Sequence, residues 1–377
     1  MKNLYDVLVI GGGPVGSYAA RLLAEKGFTV CVLEQKEKVG EGVICTGVIS
    51  KECFEKFGSP REAILKEIKS LIFISPNDQH LEYIVPYPLA YVINRELFDH
   101  LLAAQAQKSG AQFKLGVYAR EITEHKRYYR VTADGNEFYA KFVIIATGVN
   151  YRFQKRLGLG TPPRFLYGSQ VVLHQKKGAD SNIEIYLGQR YCPGSFAWVV
   201  PVDKNLFRIG TILSIKGKEY LKRFIEERLG YDGVLMTQQI ESKSIAHGAL
   251  KRSVQGKILV VGEAAGQVKT TTGGGIFTGL LCAEIAIDYL TSGLKYGKPL
   301  DEYDVTWRSL LSVELDIGRR IRSLASKIND KTIERLFSFV KHNRFWIDLV
   351  LPKINFDFHS DLLNFCLKSF SHLLKIT

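Results

Sequence analysis

Apolar residues come in short unbroken runs near the start of this chain and in alternation further on. Val7, Leu8, Val9 and Ile10 form a run of the kind that a strand buried on both faces needs. Glycines follow, then an apolar-rich stretch from Pro14, then a second run, Val30–Leu33, that stops at Glu34. The pattern predicts strand, turn, helix, strand and a closing acid. Phe142 to Ile145 is another buried-strand run and ends on Ala146, Thr147 and Gly148. A further run at residues 258–261 ends on Gly262 and Glu263, and Gly273, Gly274 and Gly275 then open a helix at Ile276. Residues 70–93 predict a hairpin turned at Pro76, Asn77 and Asp78. Residues 117–140 predict a three-strand meander turned by Asp134 and Gly135. Residues 165–244 alternate in several runs, with a helix near 219–229. From about Asp301 the pattern is helical. Leu362, Leu363, Cys366, Leu367, Phe370, Leu373 and Leu374 make one apolar stripe at helical spacing, which predicts packing over the second sheet, with an interfacial membrane helix as the alternative. Pro352 separates this stripe from residues 333–351, which contain Phe337, Phe339, Phe345 and Trp346.

The opening unit carries chemistry. Gly11, Gly13 and Gly16 give G-x-G-x-x-G between the first strand and its helix. The first glycine permits the tight turn, the second lets backbone approach a pyrophosphate, and the third lets the helix pack on the strand. Pro14 and Val15 begin a helix whose free N–H groups and positive dipole end suit phosphates. Glu34, followed by Gln35, stands where a carboxylate accepts from ribose hydroxyls. A bound dinucleotide is expected, FAD or NAD. The later segments bear on that choice, because ligands bind at the carboxyl ends of such strands. Glu263 is placed to hold a sugar-like hydroxyl, and the turn at 273–275 offers N–H groups to an anionic atom.

This order of segments resembles the FAD-binding domain of the para-hydroxybenzoate-hydroxylase-like flavoproteins. The resemblance implies that the acid at 263 meets the ribityl chain and that the glycine turn lies near the flavin ring; the family's usual acid is Asp, and Glu stands here. Arg95, Phe98, Asp99 and Leu102 match the family's R-x-x-F-D-x-x-L, which implies an Arg near FAD. An Arg at a helix start is unfavourable by itself and predicts a nearby anion. Cys45 with Gly47 is similar to the Cys-x-Gly loop of geranylgeranyl reductases. Residues 193–201 are similar to their P-x-x-Y-x-W-x-F-P signature, with Pro193, Trp198 and Pro201 matching, Phe196 for Tyr and Val200 for Phe. A prenyl chain offers no hydrogen bonds, so its site is an apolar slot, which Phe196 and Trp198 could wall from one face of a strand. Cys45 is the candidate proton donor or alkene guide, beside Gly274 and Gly275 at the flavin ring.

The resemblance therefore implies an α/β fold: a Rossmann-like FAD-binding domain (1–65, 93–150 and 250–294) interleaved with an antiparallel-sheet substrate domain (66–92 and 151–249), plus a C-terminal helical region (295–377). It implies an enzyme that reduces C=C bonds of a polyprenyl chain, with NAD(P)H or ferredoxin as electron donor. Flavin monooxygenases or halogenases, which often carry Asp-Gly where this chain has Ala146, Thr147 and Gly148, are one alternative. A quinone-reducing electron-transfer flavoprotein is the other.

Composition narrows the partners. The 377 residues hold 51 Lys and Arg against 38 Asp and Glu, a net charge of +13. Lys141, Arg152, Lys155, Arg156, Arg164, Lys176 and Lys177 fall in one stretch without an acid. That surface suits an anionic membrane or a lipid diphosphate, and Arg152, Lys155 and Arg156 are candidates for the head group. No nucleic-acid motif accompanies it. The six cysteines are scattered without CxxC or metal spacing, which fits a reducing cytoplasm. The first strand begins almost at once, leaving no room for a signal peptide, and no run of about 20 apolar residues is evident.

Overall fold

The computed structural model describes residues 4–174, 182–231, 239–343 and 355–360. The chain begins β1 (Leu4–Ile10), α1 (Pro14–Glu25), β2 (Val30–Leu33), β3 (Val48–Ser50), α2 (Lys51–Phe57), β4 (Ile64–Ile68), β5 (Ser70–Ile74), β6 (His80–Ile84), β7 (Ala90–Ile93) and α3 (Arg95–Lys108). It continues β8 (Gln112–Lys114), β9 (Ala119–Glu124), β10 (Tyr129–Ala133), β11 (Asn136–Ile145), α4 (Arg152–Arg156), β12 (Phe165–His174), β13 (Asn182–Tyr186), β14 (Ala197–Pro201) and β15 (Leu206–Leu213). Then come α5 (Gly217–Arg223), β16 (Glu241–Ala246), β17 (Val254–Gln255), β18 (Ile258–Val260), α6 (Ile276–Tyr296), α7 (Glu302–Ala325) and α8 (Asp330–His342).

The apolar runs are apolar because they lie at the centre of one sheet, ordered β17-β18-β11-β1-β2-β8. β1 pairs in parallel with β11 on one side and β2 on the other, and all four residues of β2 are buried. α1, α3, α6 and α7 cover one face, with Trp307 and Tyr303 of α7 fully buried there. β9 and β10 extend the sheet beside β11. The expected meander is present, but its third strand and the run at Phe142 are one strand of 10 residues. Its first half pairs antiparallel with β10; its second half enters the parallel core beside β1 and β18. The change from alternating to unbroken apolar residues marks that passage, and no turn residue intervenes.

A seven-stranded sheet, β16-β12-β15-β14-β13-β5-β6, forms the second layer. The hairpin of β5 and β6 turns through Asp78 at φ 67°. A small sheet, β3-β7-β4, lies between. The boundaries expected at 65/66 and 92/93 fall inside β4 and β7. The helix expected near 219–229 is α5, continued by a π-helical turn over Phe224–Arg228.

α6 differs from the sequence expectation. Its 21 residues are long and apolar enough to cross a membrane by length and composition. Half of that window is buried, and Leu280, Ala283, Ala286 and Leu290 pack in the core against α1 and the sheet. Of the expected C-terminal elements, the stripe from Leu362 to Leu374, with Phe345, Trp346 and Pro352, lies outside the described residues.

Residues 355–360 return to the first domain as a clasp. Asp357 is buried and pairs with Lys269 Nζ at 3.2 Å and with the Ser50 hydroxyl. Glu314 of α7 accepts the His359 and Ser360 N–H groups at 2.9 and 2.8 Å. His359 Nδ1 lies 2.8 Å from Thr271 Oγ1, two residues before Gly273. Burial, then Lys269, lowers the His359 pKa to about 4.

Candidate functional site

Four glycines close one end of the site. A Cβ on Gly11 (φ 108°) would meet the Ala146 carbonyl oxygen at 2.4 Å, and one on Gly16 would meet the Gly11 oxygen at 2.0 Å. Cβ atoms on Gly262 and Gly279 would press on Val15, at 3.0 and 2.6 Å. The turn therefore meets the end of β11 backbone to backbone, the Val15 side chain fills the space beside Gly262 and α6, and Val15, Gly16, Ala146 and Gly262 converge. Gly13 differs: nothing lies within 4 Å of its Cβ position, and no side chain caps α1. A free helix N-terminus facing open space fits a pyrophosphate. Glu34 is held by the Gly12 and Lys36 N–H groups at 2.7 and 3.0 Å, directly beside that turn. Gln35 follows it, and Thr147 turns its hydroxyl to the Asn150 carbonyl at 2.8 Å.

At the other end, Gly273 (φ 77°) precedes α6, whose N-terminus also has no side-chain cap. The turn is fixed by Gly273 N–H to the Lys269 carbonyl and Lys269 N–H to the Gly274 carbonyl, both 2.9 Å. Ile212 and Ile245 of the seven-stranded sheet approach to 2.8 and 3.2 Å of a Gly273 Cβ. Those isoleucines belong to an apolar cluster with Phe196, Trp198, Leu166, Val200 and Val92. The Phe196 and Trp198 rings are 5.9 Å apart, and Trp198 lies over Gly210, whose Cβ would come within 2.4 Å of it. The Trp198 indole N–H is enclosed without a partner. Pro201 ends β14, and Pro193 precedes Gly194, whose positive φ of 67° seats the loop against Ser326 of the α7 end.

Cys45 lies on the loop between β2 and β3, its sulfur accepting the Gly47 N–H at 3.3 Å. Its surroundings come from afar. The Arg95 guanidinium of α3 acts on it electrostatically. Arg208 of β15 donates to the Thr46 and Ile93 carbonyls at 2.7 and 3.0 Å, and Gln170 of β12 donates to the Cys45 carbonyl at 3.4 Å. The anion that Arg95's place at a helix start predicted includes its own Asp99, bound through Nε and Nη2 at 3.0 Å each. Burial pushes the Asp99 pKa up against the pull of Arg95. Burial also lowers the Arg208 pKa, with the Arg95 charge adding to it and Cys45 opposing.

Glu263 meets Lys243 of β16 at 2.9 Å, and its carbonyl accepts the Tyr151 hydroxyl at 2.9 Å. Sequence reasoning missed Lys243, Arg208, Gln170 and Lys269. Lys243, Arg208 and Gln170 stand outside any local motif, on antiparallel strands, and Lys269 lies within the segment of the glycine turn, where its partner Asp357 is 88 residues away. Arg152 and Arg156 are not brought to the apolar cluster. They donate to the Ala119 and Arg120 carbonyls of β9, and Arg152 with Lys155 lines a separate cleft of about 580 Å³ beside Tyr151 and Phe165.

A family model for the FAD binding domain matches residues 4–283. A digeranylgeranylglycerophospholipid reductase of Methanoculleus marisnigri is 30% identical over 89% of this chain and 90% of its own length. One from Methanocaldococcus jannaschii is 28% identical over 93% and 94%. Among solved structures, a geranylgeranyl bacteriochlorophyll reductase-like protein of Thermoplasma acidophilum superposes with a TM-score of 0.84 at 21% identity, covering 98% of this chain and 99% of the other. The p-nitrophenol 4-monooxygenase of Pseudomonas putida shares the fold, with a TM-score of 0.74 at 18% identity over all of both chains.

Proposed function

The chain belongs to the geranylgeranyl reductase family of FAD-dependent oxidoreductases, and from that premise we propose that it reduces C=C double bonds in the polyprenyl chains of an isoprenoid lipid or prenyl diphosphate. One observation carries the reading: the apolar cluster of Phe196, Trp198, Ile212 and Ile245 abuts Gly273, the turn that the flavin ring would approach. A long alkene without hydrogen-bonding groups needs such a wall.

FAD, when bound, supplies the hydride. The chain does the rest. Gly13, Pro14, Val15 and Gly16 would receive the pyrophosphate, with Gly11, Ala146, Thr147, Gly148 and Gly262 shaping its floor. Glu34 and Gln35 would hold the adenosine ribose. Glu263, kept in place by Lys243, would meet the ribityl chain. The N–H groups at Gly274, Gly275 and Ile276 would favour negative charge at the ring. Arg208 and Gln170 hold the Cys45 loop through its carbonyls and Arg95 lends it positive charge, so that the thiol could give a proton to the carbon opposite the hydride. The cluster excludes water from that step. Electrons would come from a nicotinamide or a ferredoxin-type protein. With its basic charge, the protein would work in the cytoplasm against an anionic membrane face.

The test is anaerobic. Dithionite-reduced protein is mixed with geranylgeranyl diphosphate or an isoprenoid lipid extract while flavin absorbance and product mass are followed. Reoxidation with a gain of two mass units per double bond is expected. Reduced flavin that persists with every prenyl compound, yet reoxidises with quinone or with oxygen plus an aromatic substrate, would overturn the reading.

A further inference from the structure

Four basic side chains meet just beyond the end of β16. His247 follows its last residue, is buried, and donates its backbone N–H to the Arg164 carbonyl at 3.0 Å. A Cβ on Gly248 would lie 3.6 Å from Arg319 Nη1. Arg322 of α7 donates from Nε to the Thr270 and Thr271 carbonyls at 2.8 and 3.1 Å, and from Nη1 to Ser195 Oγ at 3.2 Å. Among the described residues Arg322 has no carboxylate partner, and burial lowers its pKa to about 10. The Arg164 side chain has no hydrogen-bond or ion-pair partner among the described residues, while Arg319 pairs with Asp316. The Nδ1 atom of His247 is enclosed and unpartnered. Burial, then the charges of Arg322, Arg319 and Arg164, lowers the His247 pKa to about 4. Three cations and an orphaned ring nitrogen, with one carboxylate between them, form a cluster that an anion would complete.

The cluster sits at the rim of the apolar site. Ile245, which touches Gly273, is two residues before His247. Ser195, the partner of Arg322, immediately precedes Phe196. Guanidinium forks match phosphate oxygens better than any other common side chain does. We propose that Arg164, His247, Arg319 and Arg322 form a phosphate-binding site at this rim, and that its occupant is the phosphate or diphosphate head group of the prenyl substrate. The second clause rests on the prenyl-reductase reading; the first does not. Arg322 is anchored through Nε and Nη2 to the Thr271 carbonyl and through Nη1 to Ser195, which leaves Arg164 and Arg319 as the cations freer to turn toward an anion, whereas Arg152 and Arg156 are anchored to β9, away from this rim.

Two arms test the site with the FAD-loaded protein. In the first, inorganic phosphate is titrated while the His247 ring protons are followed by NMR. A saturable shift that raises the His247 pKa is expected, absent in the surface double variant Arg164→Gln/Arg319→Gln. No shift, or the same shift in the variant, overturns the site. In the second arm, the ratio of kcat/KM for geranylgeranyl diphosphate to that for geranylgeraniol is compared between parent and variant. A fall of at least about tenfold, roughly 1.4 kcal/mol, is expected for a lost phosphate contact. Phosphate binding in the first arm with an unchanged ratio in the second overturns the head-group assignment and leaves free phosphate as the ligand. If neither prenyl compound is reduced, the prenyl reading falls, and the first arm alone decides the site.

Discussion

Gly13 and Gly16 belong to one motif, yet the structure assigns them opposite consequences when changed to Ala. At Gly16 the new Cβ would lie 2.0 Å from the Gly11 carbonyl oxygen, against the 3.4 Å at which ordinary contact begins. Both atoms belong to backbone, so either α1 or the turn must move by more than 1 Å. Overpacking of this kind costs about 1–3 kcal/mol, and a fixed turn on a central strand belongs at the upper end. At Gly13 the new Cβ meets nothing within 4 Å, and φ −66° with ψ −176° is open to any residue. There the apoprotein should keep its stability or gain up to about 1 kcal/mol from a stiffer unfolded chain. The space the methyl takes is the space offered to the pyrophosphate, so FAD affinity should fall by at least about tenfold, or 1.4 kcal/mol. Thermal unfolding of the two apoproteins, with FAD titration by fluorescence quenching, reads both effects. Gly16→Ala should lower the apoprotein Tm; Gly13→Ala should leave Tm and lose FAD. Parental FAD affinity in Gly13→Ala would refute the placing of the pyrophosphate, and an unchanged apoprotein Tm in Gly16→Ala would refute the packing argument.

Cys45→Ala should keep FAD and its spectrum while slowing single-turnover reoxidation by prenyl substrate about 100-fold, the scale of a lost general acid; an unchanged rate would move the proton source elsewhere. Gly273→Ala should destabilise the protein by about 1–3 kcal/mol and shift the flavin absorption bands, because φ is 77° and Ile212 stands 2.8 Å from the new Cβ. Gly274→Ala should also destabilise, since the atom it meets at 2.9 Å is the Cε of Lys269, whose Nζ is held by Asp357 and the Phe356 carbonyl; urea unfolding reads both. Acid should loosen the fold through His247 and His359, whose folded pKa values of about 4 lie below the 6.5 of a free histidine. Between those values the unfolded chain binds more protons, so stability is intact above about pH 6.5 and falls toward pH 4, by up to about 3 kcal/mol for each histidine. Urea unfolding at pH 7 and pH 5 measures the loss, and a His247→Gln/His359→Gln variant should show a flatter profile.

The nucleotide half of the site was legible because it is local. β1, α1, β2 and Glu34 span 31 residues, and their glycines act on neighbouring backbone. The strand at Phe142 was legible as a buried run, although its fusion with the meander was not: both halves read as strand, and only the register shows them continuous. The surroundings of Cys45 were out of reach. Arg208 bonds to Thr46 across 162 residues, and no periodicity reports a contact of that separation. Glu263 departs from its family's usual Asp, and its ion-pair partner was out of reach for the same reason. Its cation, Lys243, lies 20 residues earlier on another sheet, where it resembled any outward-facing lysine. Of the basic stretch at 141–177, Lys176 and Lys177 lie outside the described residues, and the others differ in their partners: Lys141 pairs with Asp6, Arg152 and Arg156 attach to β9, and the Arg164 carbonyl accepts the His247 N–H.

The clasp at residues 355–360 sets an order of events during synthesis. β1 precedes its neighbour β11, and β18 beyond it, by more than 100 residues, and the carboxylate that neutralises Lys269 comes 88 residues after it and 307 after Ser50. Without Asp357 the Lys269 ammonium beside the glycine turn has no carboxylate partner among the described residues. The seating of the glycine turn before α6 is therefore shared with a segment 88 residues further along the chain, so that a change at Asp357 reaches the turn through Lys269 without touching it.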